Sequence, residues 1–573
     1  MAPSNSFVQA LQAYKAGNLT KCLRLLAPLL KNRVLDGNIL LVAAQCHAKL
    51  DQKIQAAELY MRAAEALPDN KSMFLLMAAR LFQQAKDNDR ALETAKAAAA
   101  SGPFSVEVQN TLRRLLRDQL ALVDIPLSDA AVMNGIASGN AEFFAVDDPY
   151  EHLLWCGDEA INSQQTRMAA GTPFTPVSKQ QRRAMPHQHG EKIKVGYLSA
   201  DYSDQHPTMR LFQSVLLSHD PTRFDIHLFC HTEAPIVATD RGMRQTYPNL
   251  HVITDMDDDA ACAYIRSFDL DILVDLKGHT KDVRVDLINR GLAPLQAAYL
   301  GFPGSAYGID CDYIISDPIV TPDSARPYYH EKLCRLPECY QANDNRHRLL
   351  VPAASRASLG LPEDAFVLAS FNAARKISPF TAQLWARVMA TIPDSVLWIL
   401  CEGQSRQSNL IDFMGKNGIA PDRLFFADTA IYSDHIARLQ AADLGLDTYP
   451  YNGHTTTSDK LWAGLPVITF KGSNFASRVS ESLLTALGVP ELVANDADHL
   501  VDLAASLAQD RARLEAIWQK IADNRFVAPL FDTERFTRHL ECAFEMMVER
   551  EKAGLEPDHI DVAPLPPRNA PFQ

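Results

Sequence analysis

After Lys192 the chain alternates short apolar runs with helix-length segments, and it does so twice. The first series is "KIKVGYLSA", "FDIHLFC", "LHVIT", "DILVDLKG", "QAAYLGFPG" and "DYIISD". The second is "FVLASFN", "VLWILCEG", "RLFFAD", "LGLDTYP" and "LPVITF". Such runs, with helices between them, are the pattern of βαβ units. Two series in succession predict an α/β protein with two Rossmann-like lobes, over residues 191–350 and 351–545. Ligands of such sheets bind beyond the carboxyl ends of the strands, so the cleft between the lobes is the expected site.

Residues 1–125 follow another pattern. Gly and Pro are sparse, and Ala and Leu recur at three- and four-residue spacing, which predicts helices. "YKAGNLTKCLRLL", "AKLDQKIQAAELY" and "QAKDNDRALETAK" align as helix, polar turn, helix, with turns near Gly17, Asp51 and Ala85. A small residue follows each turn, at Cys22, Ala56 and Ala91, and Pro68 and Pro103 close successive units. A period of 34 resembles the tetratricopeptide repeat (TPR). A plain helical bundle is the alternative. Stacked helix pairs would leave a concave face suited to an extended peptide. Residues 126–190 are expected to be a helical connector and linker, polar and Pro-bearing from Gly171 to Lys192. Residues 546–573 are Pro-rich and expected to form a disordered or surface-lying tail.

Composition narrows the function. The 56 Lys and Arg against 69 Asp and Glu leave a net charge of −13, which argues against a surface that coats nucleic acid. The 10 cysteines show no CxxC pair and no zinc spacing, and suit a reducing cytoplasm. The start "MAPSNSFVQALQAYKAG" has no signal-peptide core, and no apolar run reaches the length of a membrane span. A cytoplasmic protein is expected, with homo-oligomerisation left open. No metal-ligand set is expected.

"LGLDTYPYNGHTTTSDKLWAG" reads as strand, loop, then a helix starting near Thr455 to Ser458. The free amides of that end, with the helix dipole, would attract an anion. Gly453 would let the backbone approach it. Thr455, Thr456 and His454 would add donors, and Asp459 would accept from a ribose diol. An ordinary helix cap needs no ligand and explains Thr, Ser and Asp equally well. Lys376 follows the first strand of the same lobe, within reach of a diphosphate or free on the surface. His435 precedes a helix, to pack on a nucleoside or to cap. In the first lobe His206 sits in a strand-to-helix loop, Lys277 and His279 at another strand end, and "YLGFPGSA" makes a glycine-rich turn.

Taken together, "NGHTTTSDKLWAGLPVITFKGSNFASRVSESLL", "PLQAAYLGFPGSA", "DYIISD" and "VGYLSADYSDQHPT" resemble the O-linked N-acetylglucosamine transferase family, over about residues 190–545. The resemblance implies a GT-B fold, two Rossmann-like lobes, preceded by an all-α TPR-like array. It implies that Lys376 contacts the donor diphosphate. His454, Thr455 and Thr456, with Gly453 before them, would bind the phosphates, Asp459 the ribose, and His435 would stack on the nucleoside. His206 would face sugar and acceptor, as the best candidate for a general base, and Leu300, Gly301 and Pro303 would line the sugar pocket.

Three departures stand out. Ala373 replaces a glutamine of animal members, Tyr432 a lysine near the base, and Tyr451 a cysteine beside the N-acetyl pocket. A filled pocket would disfavour an N-acetyl group. The implied activity is inverting, metal-independent transfer of a hexose or N-acetylhexosamine from a nucleotide sugar, UDP-linked, to a polypeptide held by the repeats. Ser or Thr is the expected acceptor residue, and GDP-fucose as donor, asparagine as acceptor, a glycan or lipid acceptor, and a repeat scaffold whose lobes do not catalyse are the alternatives.

Overall fold

The computed structural model describes residues 5–31, 36–169, 176–568 and 570–572. It divides into two compact units. Met1–Asp147 with Gly403–Phe413 form one, and Asp148–Glu402 with Met414–Gln573 form the other.

The first unit contains paired helices. Asn5–Lys15 pairs with Leu19–Leu26, Gly37–Lys49 with Lys53–Ala66, and Lys71–Gln84 with Asn88–Ala100. Each turn holds one residue in the left-handed region: Gly17, Asp51 and Lys86. Cys22, Ala56 and Ala91 are fully buried where the second helix of each pair approaches the first. A fourth turn of the same hand falls at Leu120, between Val106–Asp118 and Ile125–Ala137. The helical unit itself runs to Asp147. Leucine rarely adopts positive φ, so its sequence does not advertise the turn.

The second unit holds two parallel sheets. In the first lobe the strands are β1 (Ile193–Ser199), β2 (Phe224–Cys230), β3 (Leu250–Val252), β4 (Ile272–Asp275), β5 (Leu295–Ala298), β6 (Tyr313–Ser316) and β7 (Lys332–Arg335). In the second they are β8 (Phe366–Ser370), β9 (Ser395–Leu400), β10 (Leu424–Ala427), β11 (Leu444–Leu446), β12 (Val467–Phe470) and β13 (Val493–Ala494). β14 (Ile560–Asp561) returns to the first lobe, giving the orders β14-β7-β6-β5-β4-β1-β2-β3 and β10-β9-β8-β11-β12-β13. β4 and β5 are buried at every position, as expected for strands covered on both faces. Strand order reverses around β1 and around β8, and the exits of these strands and their neighbours carry the site.

The last segment differs from the expected tail. The helix Thr533–Lys552 crosses the 545 boundary and packs on the first lobe, and β14 pairs in register with β7, Ile560 opposite Cys334. Ile560 and Val562 are buried, and His559 accepts from the Leu333 amide at 3.0 Å. Two alternating apolar residues suffice for an edge strand, where the flanking prolines cost no ladder bond. The polar linker is described only from residue 176 onward. The helices Pro149–Leu153 and Glu159–Ala169, expected in a connector, belong to the second unit. No helix among the described residues is long and apolar enough to cross a membrane.

Candidate active site

The second-lobe half is built on the exits of β8 and β11. β8 leads through Asn372 into a short 3-10 turn, Ala374–Lys376. Lys376 Nζ donates to the Asn452 carbonyl at 2.8 Å and lies 3.9 Å from the centre of the Tyr451 ring. The surrounding protein pushes its ammonium down to about 7, against the opposing charge of Asp447. Asp447 follows β11 and folds the next loop back on itself. Its Oδ1 accepts from the amides of Thr448 at 2.8 Å and Gly453 at 2.7 Å, and its Oδ2 from Thr469 Oγ1 at 3.0 Å.

That loop delivers the helix Thr455–Ala463. Its boundary residue, His454, provides no side-chain cap. The neighbouring helices Pro379–Thr391 and Phe475–Ala486 are capped by Ser378 and Asn474. The first amides of the Thr455 helix thus have no side-chain acceptor from the boundary residue, which is the condition for an anion site. Gly453 is required here: a Cβ would lie 2.5 Å from Thr457 Oγ1 and 2.7 Å from Asn372 Oδ1. Thr456 donates its hydroxyl to Asn372 Oδ1, and Thr455 is half-buried beside it. The His454 ring stacks on Tyr451 at 4.8 Å, and its Nε2 bonds the Ala476 carbonyl at 3.3 Å. Burial, and then Lys376, hold its pKa well below the ordinary value, so the ring is neutral and donates through Nε2.

Deeper along the same helix, Asp459 already has partners. Tyr432 donates its hydroxyl to Oδ1 at 2.9 Å, and Arg348 Nη1 lies 3.5 Å away. A ribose taken by Asp459 would share or replace the Tyr432 bond. His435 lies inside the first turn of Tyr432–Leu439 rather than before a helix, because the helix starts without a capping side chain at Ile431. Its ring meets the edge of Phe371 at 5.6 Å and accepts from Arg438 through Nδ1 at 3.1 Å. Burial lowers its pKa to about 4, leaving it neutral with Nε2–H free to donate.

The first lobe contributes the exits of β1 and β4. Lys277 Nζ pairs with Asp201 Oδ1 at 2.6 Å, both buried. Buried Asp275 accepts from the Lys277 and Gly278 amides, and burial raises its pKa to about 6. His206 caps the helix Pro207–Ser218: Nδ1 accepts from the Thr208 amide at 3.3 Å, and Nε2 faces Asp201 at 3.5 Å. Burial lowers its pKa. His279 bonds the Tyr307 carbonyl at 2.7 Å and meets Phe302 edge-on. Leu300 is left-handed, at φ 68°, and a Cβ on Gly301 would lie 2.3 Å from the Leu276 carbonyl. This turn is wedged against the exit of β4. Pro303 lines a small cavity with Leu153, Asn474 and Phe475.

The two halves meet through side chains. Phe302 packs with Tyr451, Leu153, Leu154 and Ala476. Arg210, one turn after His206, lays its guanidinium over the Tyr432 ring at 4.9 Å. The uncapped start of the Thr455 helix, the Asp459–Tyr432 pair with His435 beside it, and the first-lobe charge cluster therefore border one cleft.

The profile of glycosyl transferase family 41 matches residues 175–351 and 347–540. The chain belongs to that family. It is 33% identical over 380 residues to a probable UDP-N-acetylglucosamine–peptide N-acetylglucosaminyltransferase SEC of Arabidopsis thaliana, covering 65% of this chain and 39% of that protein. It is 25% identical over 488 residues to UDP-N-acetylglucosamine–peptide N-acetylglucosaminyltransferase of Caenorhabditis elegans, covering 65% and 42%. The chain thus spans about two fifths of the length of these curated relatives. The solved structure of a mutant Thermobaculum terrenum O-GlcNAc transferase aligns over 96% of this chain and 98% of that one, with a TM-score of 0.66 at 22% identity. The two share the fold, helical N-terminal region included.

Within this family 41 chain the structure gathers Lys376, Tyr451, Gly453, His454, Thr455 and Thr456 at one spot. Asp459 and His435 stand next to it, and His206, Lys277, His279, Leu300, Gly301 and Pro303 come from the facing lobe. Sequence reasoning missed Asp447, Asn372 and Asp201, which hold the site together. Each follows closely on the end of a parallel strand, and that position was the available signal.

Proposed function

We propose that the chain is a protein glycosyltransferase that moves a hexose or N-acetylhexosamine from a nucleotide sugar, UDP-linked, to Ser or Thr of a polypeptide. The observation that carries this reading is the uncapped first turn of the Thr455 helix, with the Lys376 ammonium beside its entry loop. Family membership and the peptide-modifying activities named for the relatives support it.

The acceptor hydroxyl attacks the anomeric carbon, its bond to the diphosphate breaks, and the electron pair stays on the leaving phosphate. Lys376 and the helix amides neutralise that charge, so no step needs a metal. His206, with Nδ1 accepting from Thr208, carries its hydrogen on Nε2 and orients toward Asp201. In this arrangement it positions rather than takes a proton, and the leaving phosphate accepts it. The repeats present the polypeptide. Ten free cysteines, nine of them buried, suit a cytoplasmic protein.

A thermal-shift panel of UDP, GDP and CMP sugars tests the donor, because a ligand of the native state alone raises its melting temperature. UDP sugars are expected to stabilise most. Radiolabelled sugar should then appear in trypsin-sensitive material, at Ser or Thr by fragmentation. Absence of stabilisation by any nucleotide sugar, or label confined to glycan or lipid, overturns the reading.

Tyr451 sets the sugar. It is buried under Leu153 and Phe302, where animal relatives keep a small residue beside the N-acetyl group. Tyr451→Cys should shift the kcat/KM ratio toward N-acetylated donors by about 10-fold or more, the usual scale for reshaping an apolar pocket. An unchanged ratio in paired donor assays places the specificity elsewhere.

A further inference from the structure

At the amino-terminal end of β4, away from the cleft, three chain segments bring two histidines and three carboxylates together. His187 Nε2 lies 2.8 Å from Asp271 Oδ1, and His189 Nδ1 lies 2.6 Å from the same oxygen. The outer nitrogens face other carboxylates: His187 Nδ1 meets Asp269 at 2.9 Å, and His189 Nε2 meets Glu551 at 2.8 Å. Asp271 is buried, and its second oxygen is fixed by the Lys194 amide at 2.8 Å. The His187 side chain is 6% exposed.

We propose that His187 Nε2, His189 Nδ1 and Asp271 Oδ1 bind a divalent transition-metal ion, zinc by ligand type. The ligand atoms lie within 4.8 Å of one another. Around a tetrahedral zinc with bonds of about 2.0–2.1 Å they would stand about 3.3 Å apart, so the two N···O separations of 2.8 and 2.6 Å would open slightly. Two imidazoles and one carboxylate suit zinc, with water in the fourth position.

The outer contacts leave the metal one competitor, a proton: a protonated ring satisfies both of its oxygens, and the bonds to Asp271 and Asp269 favour that form of His187. An ionised carboxylate only accepts, and a neutral imidazole has a single N–H. With every ring nitrogen facing a carboxylate oxygen, each neutral ring sets one lone pair against an oxygen. If His187 donates its outer N–H to Asp269, and His189 carries its hydrogen on Nε2, near Glu551, both inner lone pairs point at one spot beside Asp271. A cation there turns the mismatch into coordination. A carboxylate behind each ligating histidine is the recurrent outer arrangement of metal sites.

The position makes the site a staple rather than a catalyst. It ties the segment ahead of β1, the turn into β4 and the last turn of the helix Thr533–Lys552 together. The paired residues are 82 to 84 positions apart between His187 or His189 and Asp269 or Asp271, which is why no spacing motif announces them.

The test uses the full chain, stripped with chelator and titrated with cobalt(II) and zinc(II). One equivalent of cobalt should bind with the intense visible bands of a four-coordinate ion, zinc should displace it, and either metal should raise the melting temperature. His189→Gln, whose side chain is a quarter exposed and tolerates exchange, should lose the bands while remaining folded. Asp269→Asn should weaken affinity by about 10- to 100-fold. A weak six-coordinate cobalt spectrum, or four-coordinate bands undiminished in His189→Gln, overturns the proposal.

Discussion

Replacing Lys376 by alanine lowers kcat by about 100- to 1000-fold, the usual cost of removing one preorganised donor from a developing charge, and leaves the protein folded. Lys376 is anchored by a single hydrogen bond, to the Asn452 carbonyl, and rests on the Tyr451 ring. Asn452 is buried, so its carbonyl loses a donor at a cost of about 1–3 kcal/mol, which the fold can carry. Transfer loses the ammonium that donates to the Asn452 carbonyl in the entry loop of the Thr455 helix. Single-turnover transfer together with circular dichroism separates the two effects. Full activity in a folded Lys376→Ala protein removes this residue from the mechanism.

The same residue sets a pH dependence with a defined sign. In the empty site its pKa is about 7, below the ordinary 10.5, because burial disfavours the charged form. A bound diphosphate favours that form and raises the value. Donor binding therefore takes up a proton above pH 7, and kcat/KM for the donor should fall toward tenfold per unit there. The kcat profile, which reports the loaded enzyme, should hold to higher pH. In Lys376→Ala the fall beginning near pH 7 disappears from kcat/KM.

Much of this arrangement was legible in the sequence, for a physical reason. Strands buried on both faces must be apolar throughout, so each announces itself, and the ligand-binding ends of parallel strands follow from topology. Lys376, His454 and Thr456 could therefore be placed without any long-range contact. The helix start at Thr455 followed from glycine and hydroxyl residues preceding a helical run. What stayed hidden depends on tertiary partners. Asp447 reads as an ordinary strand-end aspartate until the loop closes and brings Gly453 onto it. Asp459 reads as a free ribose ligand until Tyr432 arrives from another helix. The cap formed by His206 Nδ1 is a rotamer choice that the string of letters does not encode.

Asp447 carries the second large effect. It is 8% exposed and serves two backbone amides, while its charge supports two ammonium groups, half-buried Lys376 and buried Lys460. Lys460 is fully buried on the Thr455 helix, with no hydrogen-bond partner on Nζ, and its pKa is pushed down to about 8 by burial. Asp447→Ala leaves the Thr448 and Gly453 amides unpaired, Lys376 without its opposing charge and Lys460 with Asp459 alone. Its expected cost is about 2–6 kcal/mol, roughly 1–3 for each buried amide left unpaired. Asp447→Asn separates shape from charge, because one carboxamide oxygen can still accept from both amides. It should fold, and both lysine pKa values should drop further. The fall in kcat/KM for the donor then begins below pH 7. A lysine whose folded pKa lies below its unfolded value binds fewer protons in the native state between the two. Stability of the empty protein therefore rises with pH from about 7 toward 10, and in Asp447→Asn the rise begins at lower pH. Urea titrations across that range, beside the kinetic profile, read both consequences from one variant. A profile and a stability curve that coincide with those of the unsubstituted protein would show that the Asp447 charge does not reach Lys376.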